Sequence, residues 1–353
     1  MPRASAMTRQ ARRHAPPALL ALLALAFAPA QAAPAASGKA LPLAKVQERL
    51  ALPTVEATTN LVTISDGTNT VVFHPGFRRA AVNGVAVWLN EPAEPDYRAT
   101  LRVSAPDLDR LLVPILSQIS NPAPASGSED WAAPGPSAAP LFIDPGHGGE
   151  DSGAIAAATG LREKDLVLDI SLRVGELLRD AGFSVAFSRT NDTFVALPDR
   201  AALAAATNAA LFASIHANTT GGAAAHGIET FTLSLAGSDS TSGDTRISKK
   251  EWPGNAHDAE SAVLGYLVQS SVNTERGEAD RGLRHARFQV LREAPCPAIL
   301  IECGFLSNAA ENTSLESPRY RQRVAAAIAR ALAAFASSSS CRRSPSDCAS
   351  SPP

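Results

Sequence analysis

Leu141-Phe142-Ile143-Asp144-Pro145-Gly146-His147-Gly148-Gly149 is the stretch whose reading decides the fold. Its mostly apolar start reads as a strand buried on both faces, and Pro145-Gly146 stops that strand so that His147 sits on the loop leaving it. The pattern recurs twice. Leu211-Phe212-Ala213-Ser214-Ile215 runs into His216-Ala217-Asn218, and Ala298-Ile299-Leu300-Ile301 runs into Glu302-Cys303-Gly304. In a parallel α/β sheet, three such strands bring their following side chains together at the carboxyl edge, where these sheets place their sites.

Between these runs lie helical patterns. Leu166, Ile170, Val174, Leu177 and Leu178 recur at helical spacing over 164–181 and stop at Gly182. Residues 197–209 and 256–272 read as further helices, and Val324, Ile328, Leu332 and Phe335 mark a closing one. Phe183 to Phe187, Gly227 to Leu233 and Phe288 to Leu291 read as strands, and 234–254 as a polar surface loop. The alternation predicts an α/β fold, a three-layer, mostly parallel sheet with helices on both faces, over 141–336.

Ahead of it, 41–120 carries short β-type runs between turn clusters, with Asn83-Gly84 as the strongest turn signal. Ser104 to Ser117 reads as a helix capped by Ser104. This is a small strand-rich, stalk-like domain, loosely similar to the module first named from the amine oxidase N-terminus. The Pro/Ser/Ala-rich stretch 121–140 reads as a linker, and 337–353 as a disordered Ser/Pro tail.

The chain begins with four arginines and the apolar run Ala18 to Ala28, then Ala30-Gln31-Ala32. That is the form of a signal peptide over 1–32, too short to span a bilayer, so the mature chain is expected to be periplasmic or extracellular without a membrane span. Its removal shifts the formal charge from −2 to −6, because it holds four arginines and no acid. No basic footprint for nucleic acid remains. Four cysteines make no disulfide framework. Along one strand Cys296 and Cys303 would stand about 23 Å apart, too far to bridge; Cys341 and Cys348 in the tail are left open.

His147 and His216 are 69 residues apart and no His-Glu-x-x-His occurs, so they meet through the fold. A hydrolytic zinc ion takes three protein ligands and keeps a position for water. Glu163, at the start of the helix after the first strand, is the candidate third ligand, although a first-turn acid is also favoured by the helix dipole alone. Glu302, following an apolar run, is the candidate proton carrier, with partial burial raising its pKa; the plainer alternative pairs it with an arginine such as Arg281. Cys303 should face the opposite side of the sheet. His74, His226, His257 and His285 read as surface or loop residues. Gly148 and Gly149 read as backbone clearance around the metal.

Asp144-Pro145-Gly146-His147-Gly148-Gly149, Glu163-Lys164, Ser214 to Asn218 and Glu302 to Asn308 together resemble the zinc-dependent N-acetylmuramoyl-L-alanine amidases of bacterial cell walls, over about 141–335. Arg189 to Asp192, Arg200, Asp280 to Leu283 and Val290 to Arg292 also look like family positions. The resemblance implies peptidoglycan as partner and cleavage of the amide between the muramic acid lactyl group and L-alanine. It assigns zinc to His147, Glu163 and His216 and catalysis to Glu302. Arg281, Arg284 and Asn218 are candidate substrate contacts. Only Ala217 to Ala225 follows the second histidine before the next strand, which leaves no room for the long occluding helix of some members. A deacetylase or peptidase acting on wall fragments, or a non-catalytic wall-binding module, are the alternatives. An activator or wall-anchoring partner would act through the N-terminal domain.

Overall fold

The computed structural model describes residues 40–58, 60–95, 101–120, 139–243, 246–276 and 279–338. The expected signal peptide, nearly all of the linker, and the tail with Cys341 and Cys348 lie outside the described residues.

The N-terminal strands come first. β1 (Ala40–Pro42) leads into α1 (Leu43–Leu50), and a meander comes next: β2 (Thr54–Ala57), β3 (Val62–Ser65), β4 (Thr70–Phe73), β5 (Arg79–Val82) and β6 (Val85–Trp88). Each neighbour is antiparallel, with Val82 opposite Val85 across the Asn83-Gly84 turn. Both turn residues have positive φ, +47° and +82°, the conformation a two-residue hairpin of this hand requires. β7 (Glu94–Pro95) and β8 (Leu101–Ser104) form a separate three-stranded sheet with β1. Ser104 does cap the helix after β8, its hydroxyl accepting from the Asp107 amide. That helix is α2 (Ala105–Asp107) and α3 (Val113–Ser120) with a π-type turn, Leu108–Leu112, between them.

The second region alternates as its periodicities require: β9 (Leu141–Pro145), α4 (Glu163–Asp180), β10 (Val185–Phe187), α5 (Leu197–Ala206), β11 (Leu211–Asn218), β12 (Ile228–Leu233), α6 (Asp258–Arg276), β13 (Asp280–Ala286), α7 (Gln289–Arg292), β14 (Ala298–Phe305), α8 (Ala309–Glu316) and α9 (Pro318–Ser337). β10, β9, β11 and β14 are parallel; β12 turns against β14, and β13 runs parallel to β12. Apolar residues of α4, α6 and α9 pack on one face with Ile143, Ile215 and Ile301. Ala204 of α5 and Val290 and Leu291 of α7 pack on the other with Phe142, Phe212 and Leu300. Helices therefore cover both faces of a mixed, mostly parallel sheet.

The sheet does not stop at β13. β6 pairs parallel to it, with Leu283 opposite Val87, so β2 to β6 extend the same sheet to eleven strands. Gly282 permits the approach: its φ is +90°, and an added Cβ would lie 2.7 Å from the Ala86 carbonyl oxygen. Asp280 and Trp88 fasten the seam, the first accepting from the Ala86 amide at 2.7 Å, the second donating from its indole N–H to the Arg281 carbonyl at 2.9 Å.

Two expectations change, and one strand was not foreseen. Phe288 to Leu291 is not a strand: Phe288 is extended, but the next four residues turn into α7, because a four-residue apolar run does not by itself separate strand from helix. β13 escaped notice because Arg281 and Arg284 break its apolar pattern. The closing helix also runs through Ser337, where the tail was expected to begin.

Candidate metal centre

The loop after β9 is gripped before it is functional. Arg189 and Arg200, both buried, donate into its carbonyls: Arg189 to Pro145 (3.0 Å) and Gly146 (2.6 Å), Arg200 to Pro145 (2.7 Å) and His147 (2.9 Å). Fully buried Asp144 anchors Arg200 at 2.8 Å and accepts from the hydroxyls of Ser188 and Ser214. His147 is thereby held at φ +60°, a left-handed conformation that a residue with a Cβ seldom adopts. Such strain persists where the surroundings over-determine it, and it clusters at functional sites.

His147 donates from Nδ1 to Asp151 at 2.8 Å and presents Nε2 to Glu163 Oε1 at 3.0 Å. His216, near the end of β11, places Nδ1 3.0 Å from the same oxygen. Glu163 opens α4 and is nearly inaccessible; the amides of Ala154 and Ala217 donate to its two oxygens at 2.9 and 3.1 Å. The two rings stand at 76° with centroids 5.0 Å apart. One ligand atom from each of His147, Glu163 and His216 lies within 4.8 Å of the others. The structure thus brings together the three residues read as ligands. Burial alone would raise the Glu163 pKa, but the two imidazoles outweigh it and hold the carboxyl well below the usual range. Burial likewise opposes the charged form of His147, and Glu163 with Asp151 outweighs it, so that its pKa is raised.

The surroundings fit a cation. A carboxylate and two imidazoles are a nitrogen-rich donor set that leaves a dication with residual positive charge, and Asp151 orients His147 from behind in the way outer carboxylates orient metal-binding histidines. The backbone is cleared around the side chains as well. A Cβ on Gly146 would lie 2.3 Å from the His216 ring, and one on Gly153, at φ +62°, would lie 2.6 Å from Glu163 and 2.7 Å from His147. Clearance therefore comes from Gly146 and Gly153. Gly148 and Gly149, expected to supply it, face Thr193 and Phe194 instead.

Glu302 lies within β14, directly across from His216 on one side and from Glu229 on the other. All three side chains share one face of the sheet, since paired residues on neighbouring strands point the same way. Glu302 Oε2 is shut off from solvent and has no hydrogen-bond partner among the described residues. Its pKa is pushed well above the carboxylate range, first by burial and then by the charges of Glu163 and Glu229. Cys303 points into the core on the opposite face, as expected, while Cys296 packs on the near side.

Arg281, the arginine named as a partner in the plainer alternative for Glu302, pairs with Glu229 instead. Glu229 is the residue that the sequence reading missed. It is buried, its Oε1 accepts from Asn218 at 2.7 Å, and its Oε2 accepts from Arg281 (2.7 Å) and Arg284 (2.6 Å). All three candidate substrate contacts therefore converge on one carboxylate. A lone acid in the otherwise apolar and threonine-rich Ile228–Leu233 was the available signal. His285, read as a surface or loop residue, is buried; His226 is exposed and bonds the Ala224 carbonyl.

Comparison with known proteins bears on the same region. The family model described as N-acetylmuramoyl-L-alanine amidase matches residues 141–334, more than half of the chain. The N-acetylmuramoyl-L-alanine amidase LytC of Bacillus subtilis (strain 168) is 36% identical over 188 residues, 53% of this chain and 34% of LytC. YqiI of the same organism, an uncharacterized protein, is 36% identical over 195 residues, 55% of this chain and 84% of YqiI. Among solved structures, the N-acetylmuramoyl-L-alanine amidase from Clostridium difficile 630 is 34% identical, covering 57% of this chain and 98% of that one with a TM-score of 0.49. The chain thus spans about a third of the length of LytC.

Proposed function

The chain belongs to the N-acetylmuramoyl-L-alanine amidase family, and on that premise we propose that it is an exported, zinc-dependent hydrolase of peptidoglycan, cleaving the amide between the lactyl group of muramic acid and the first L-alanine of the stem peptide. The observation that carries this reading is the convergence of His147, Glu163 and His216 within 4.8 Å beside a carboxylate, Glu302, whose Oε2 has no other partner among the described residues. Zinc suits two imidazoles and a carboxylate better than magnesium or calcium, which prefer all-oxygen sites. Bound there, it would supply Lewis acidity, lowering the pKa of water and polarising the scissile carbonyl.

The chain's own residues do the rest. Asp151 fixes the His147 ring through Nδ1, and the Ala154 and Ala217 amides fix the Glu163 carboxylate, so the donors are set before substrate arrives. Glu302 takes a proton from the attacking water and returns it to the departing nitrogen of L-alanine. A raised pKa suits that exchange, and positive charge placed beside the carboxylate would act in the opposite direction. Loop 219–227, between β11 and β12, contains no helix, which supports an enzyme that is not occluded by a helix at that position. The periplasm or cell exterior is the proposed site of action, and the N-terminal strands are the proposed place for a wall-anchoring contact.

The test is digestion of purified sacculi with and without a chelator, followed by mass analysis of the fragments. Intact stem peptides released from glycan, and their loss on chelation with return on adding zinc, are expected. Cleavage within the stem, or release of acetate, would hand the assignment to a peptidase or deacetylase.

A further inference from the structure

Asn218, Arg281 and Arg284 stand beside the proposed reaction centre, yet all three are hydrogen-bonded to Glu229. Glu229 and Glu302 are directly opposed in an antiparallel ladder. Side chains so placed have Cβ atoms about 4.5–5.5 Å apart, and two like charges there repel. The guanidinium pair offsets the charge of Glu229. It also creates a hazard, because Glu302 has an oxygen without a hydrogen-bond partner among the described residues, and a guanidinium that swung across would bind it and tie up the proton carrier.

The residue that restrains the arginines comes from outside the family-matching segment. Trp88, at the end of β6, lies beneath Arg284, whose guanidinium carbon is 5.0 Å from the indole centroid. Its N–H holds the Arg281 carbonyl at 2.9 Å, and its own carbonyl accepts from His285. Arg281 is in turn stacked on Phe305 of β14, 4.7 Å from the ring centre. Arg284 also donates to the Thr241 carbonyl, and the Thr241 hydroxyl donates to the His285 carbonyl. The indole therefore touches both arginine-bearing residues, and the Trp88 backbone holds the histidine next to them.

We propose that Trp88 is a positioning residue for hydrolysis: it fixes Arg281 and Arg284 on Glu229 and keeps them off Glu302, which makes the N-terminal strands a working part of the active site. This inference rests on the amidase reading above. It goes beyond it in assigning a catalytic consequence to a residue outside the segment matched by the family model.

The experiment compares kcat and KM of the full-length enzyme and its variants on a soluble muramyl peptide, with zinc content and urea unfolding measured alongside. Trp88→Ala should lower kcat about tenfold, equivalent to about 1.4 kcal/mol of barrier, with KM within about twofold and full zinc content, as expected for loss of a ring contact and one hydrogen bond. Trp88→Phe keeps a ring under Arg284 and should recover most of that loss. Glu229→Gln should lower kcat at least as far, and adding Trp88→Ala to it should cost less than a further twofold, because the two act through one unit. If Trp88→Ala does not fold, the same cycle is run with Trp88→Leu, which fills more of the space but has neither a ring nor an N–H donor. Unchanged kcat with lowered stability, or additive effects in the cycle, overturns the inference while leaving the amidase standing. A wild-type protein that does not turn over the peptide sinks both.

Discussion

The two regions of this sheet are built by opposite rules. In 141–338, strands alternate with helices, neighbours are mostly parallel, and the chemistry-bearing side chains gather near the carboxyl ends of β9, β11 and β14. In 54–88, five strands succeed one another as an antiparallel meander, and none of the three metal-binding candidates comes from it. Parallel strands need long crossovers, and those crossovers deliver loops and helix starts such as Glu163 to one edge; hairpins return the chain locally and deliver no such cluster. The meander's contribution is support: Trp88, Arg78 and the Ala86 amide reach the other region through Arg281, Asp239 and Asp280.

That contrast can be broken at several points. The largest effect should come from the parallel region: Glu302→Gln should lower amidase turnover by about 10²–10⁴, the usual span for a lost general base, with zinc content unchanged. Retained turnover in that variant would remove Glu302 from the mechanism. Gly146→Ala comes next. Its Cβ would meet the His216 ring at 2.3 Å, so zinc affinity, measured by competition with a chelator, should fall by about 10–100-fold, as when a ligand's supporting partners are lost. An unaltered affinity would show that the ring moves aside freely.

A pH effect at the seam should be smaller. His285 has its pKa pushed down to about 3, first by burial and then by the Arg78 charge. It donates from Nε2 to the Trp88 carbonyl and accepts at Nδ1 from Thr232, which requires the neutral ring. The unfolded chain binds a proton near pH 6.5 that the folded chain refuses until about pH 3. The contribution is therefore fully present above pH 6.5 and is lost as pH falls through that window. Urea unfolding at pH 7 and pH 4.5 should show this loss in the wild type and a weaker pH dependence in His285→Asn; equal dependence in the two would place the titration elsewhere. The smallest effect belongs to the hairpin. Asn83→Ala at φ +47° removes the acceptor for the Thr70 amide and should cost about 1–2 kcal/mol of stability with kcat unchanged.

How much of this was legible depended on what each residue answers to. Periodicity sufficed for β9, α4, β11 and α9, because burial on a fixed face leaves a repeating apolar mark. The candidate ligand set was legible because His147 and His216 each follow such an apolar run and Glu163 opens the next helix. Glu229 was not, since a buried acid looks like any other until its partners, 11 to 55 residues away, are known. The seam was hidden for a related reason. β13 holds Asp280, Arg281, Arg284 and His285 among its seven residues, and its register with β6 depends on Gly282 standing opposite a carbonyl 196 positions earlier, which no local window records. Asp144, Arg189 and Arg200 belonged to recognised motifs, but their grip on the loop emerged with the hydrogen bonds.

The union of β6 with β13 also bears on solubility. Cut back to the segment shared with its relatives, the protein would present β13 as a naked border, its amides and carbonyls unmatched and Leu283 uncovered. Such borders recruit other chains. A truncated form beginning near Leu141 is therefore expected to self-associate in light scattering where the longer chain does not, so that the meander acts as the molecule's own selvedge.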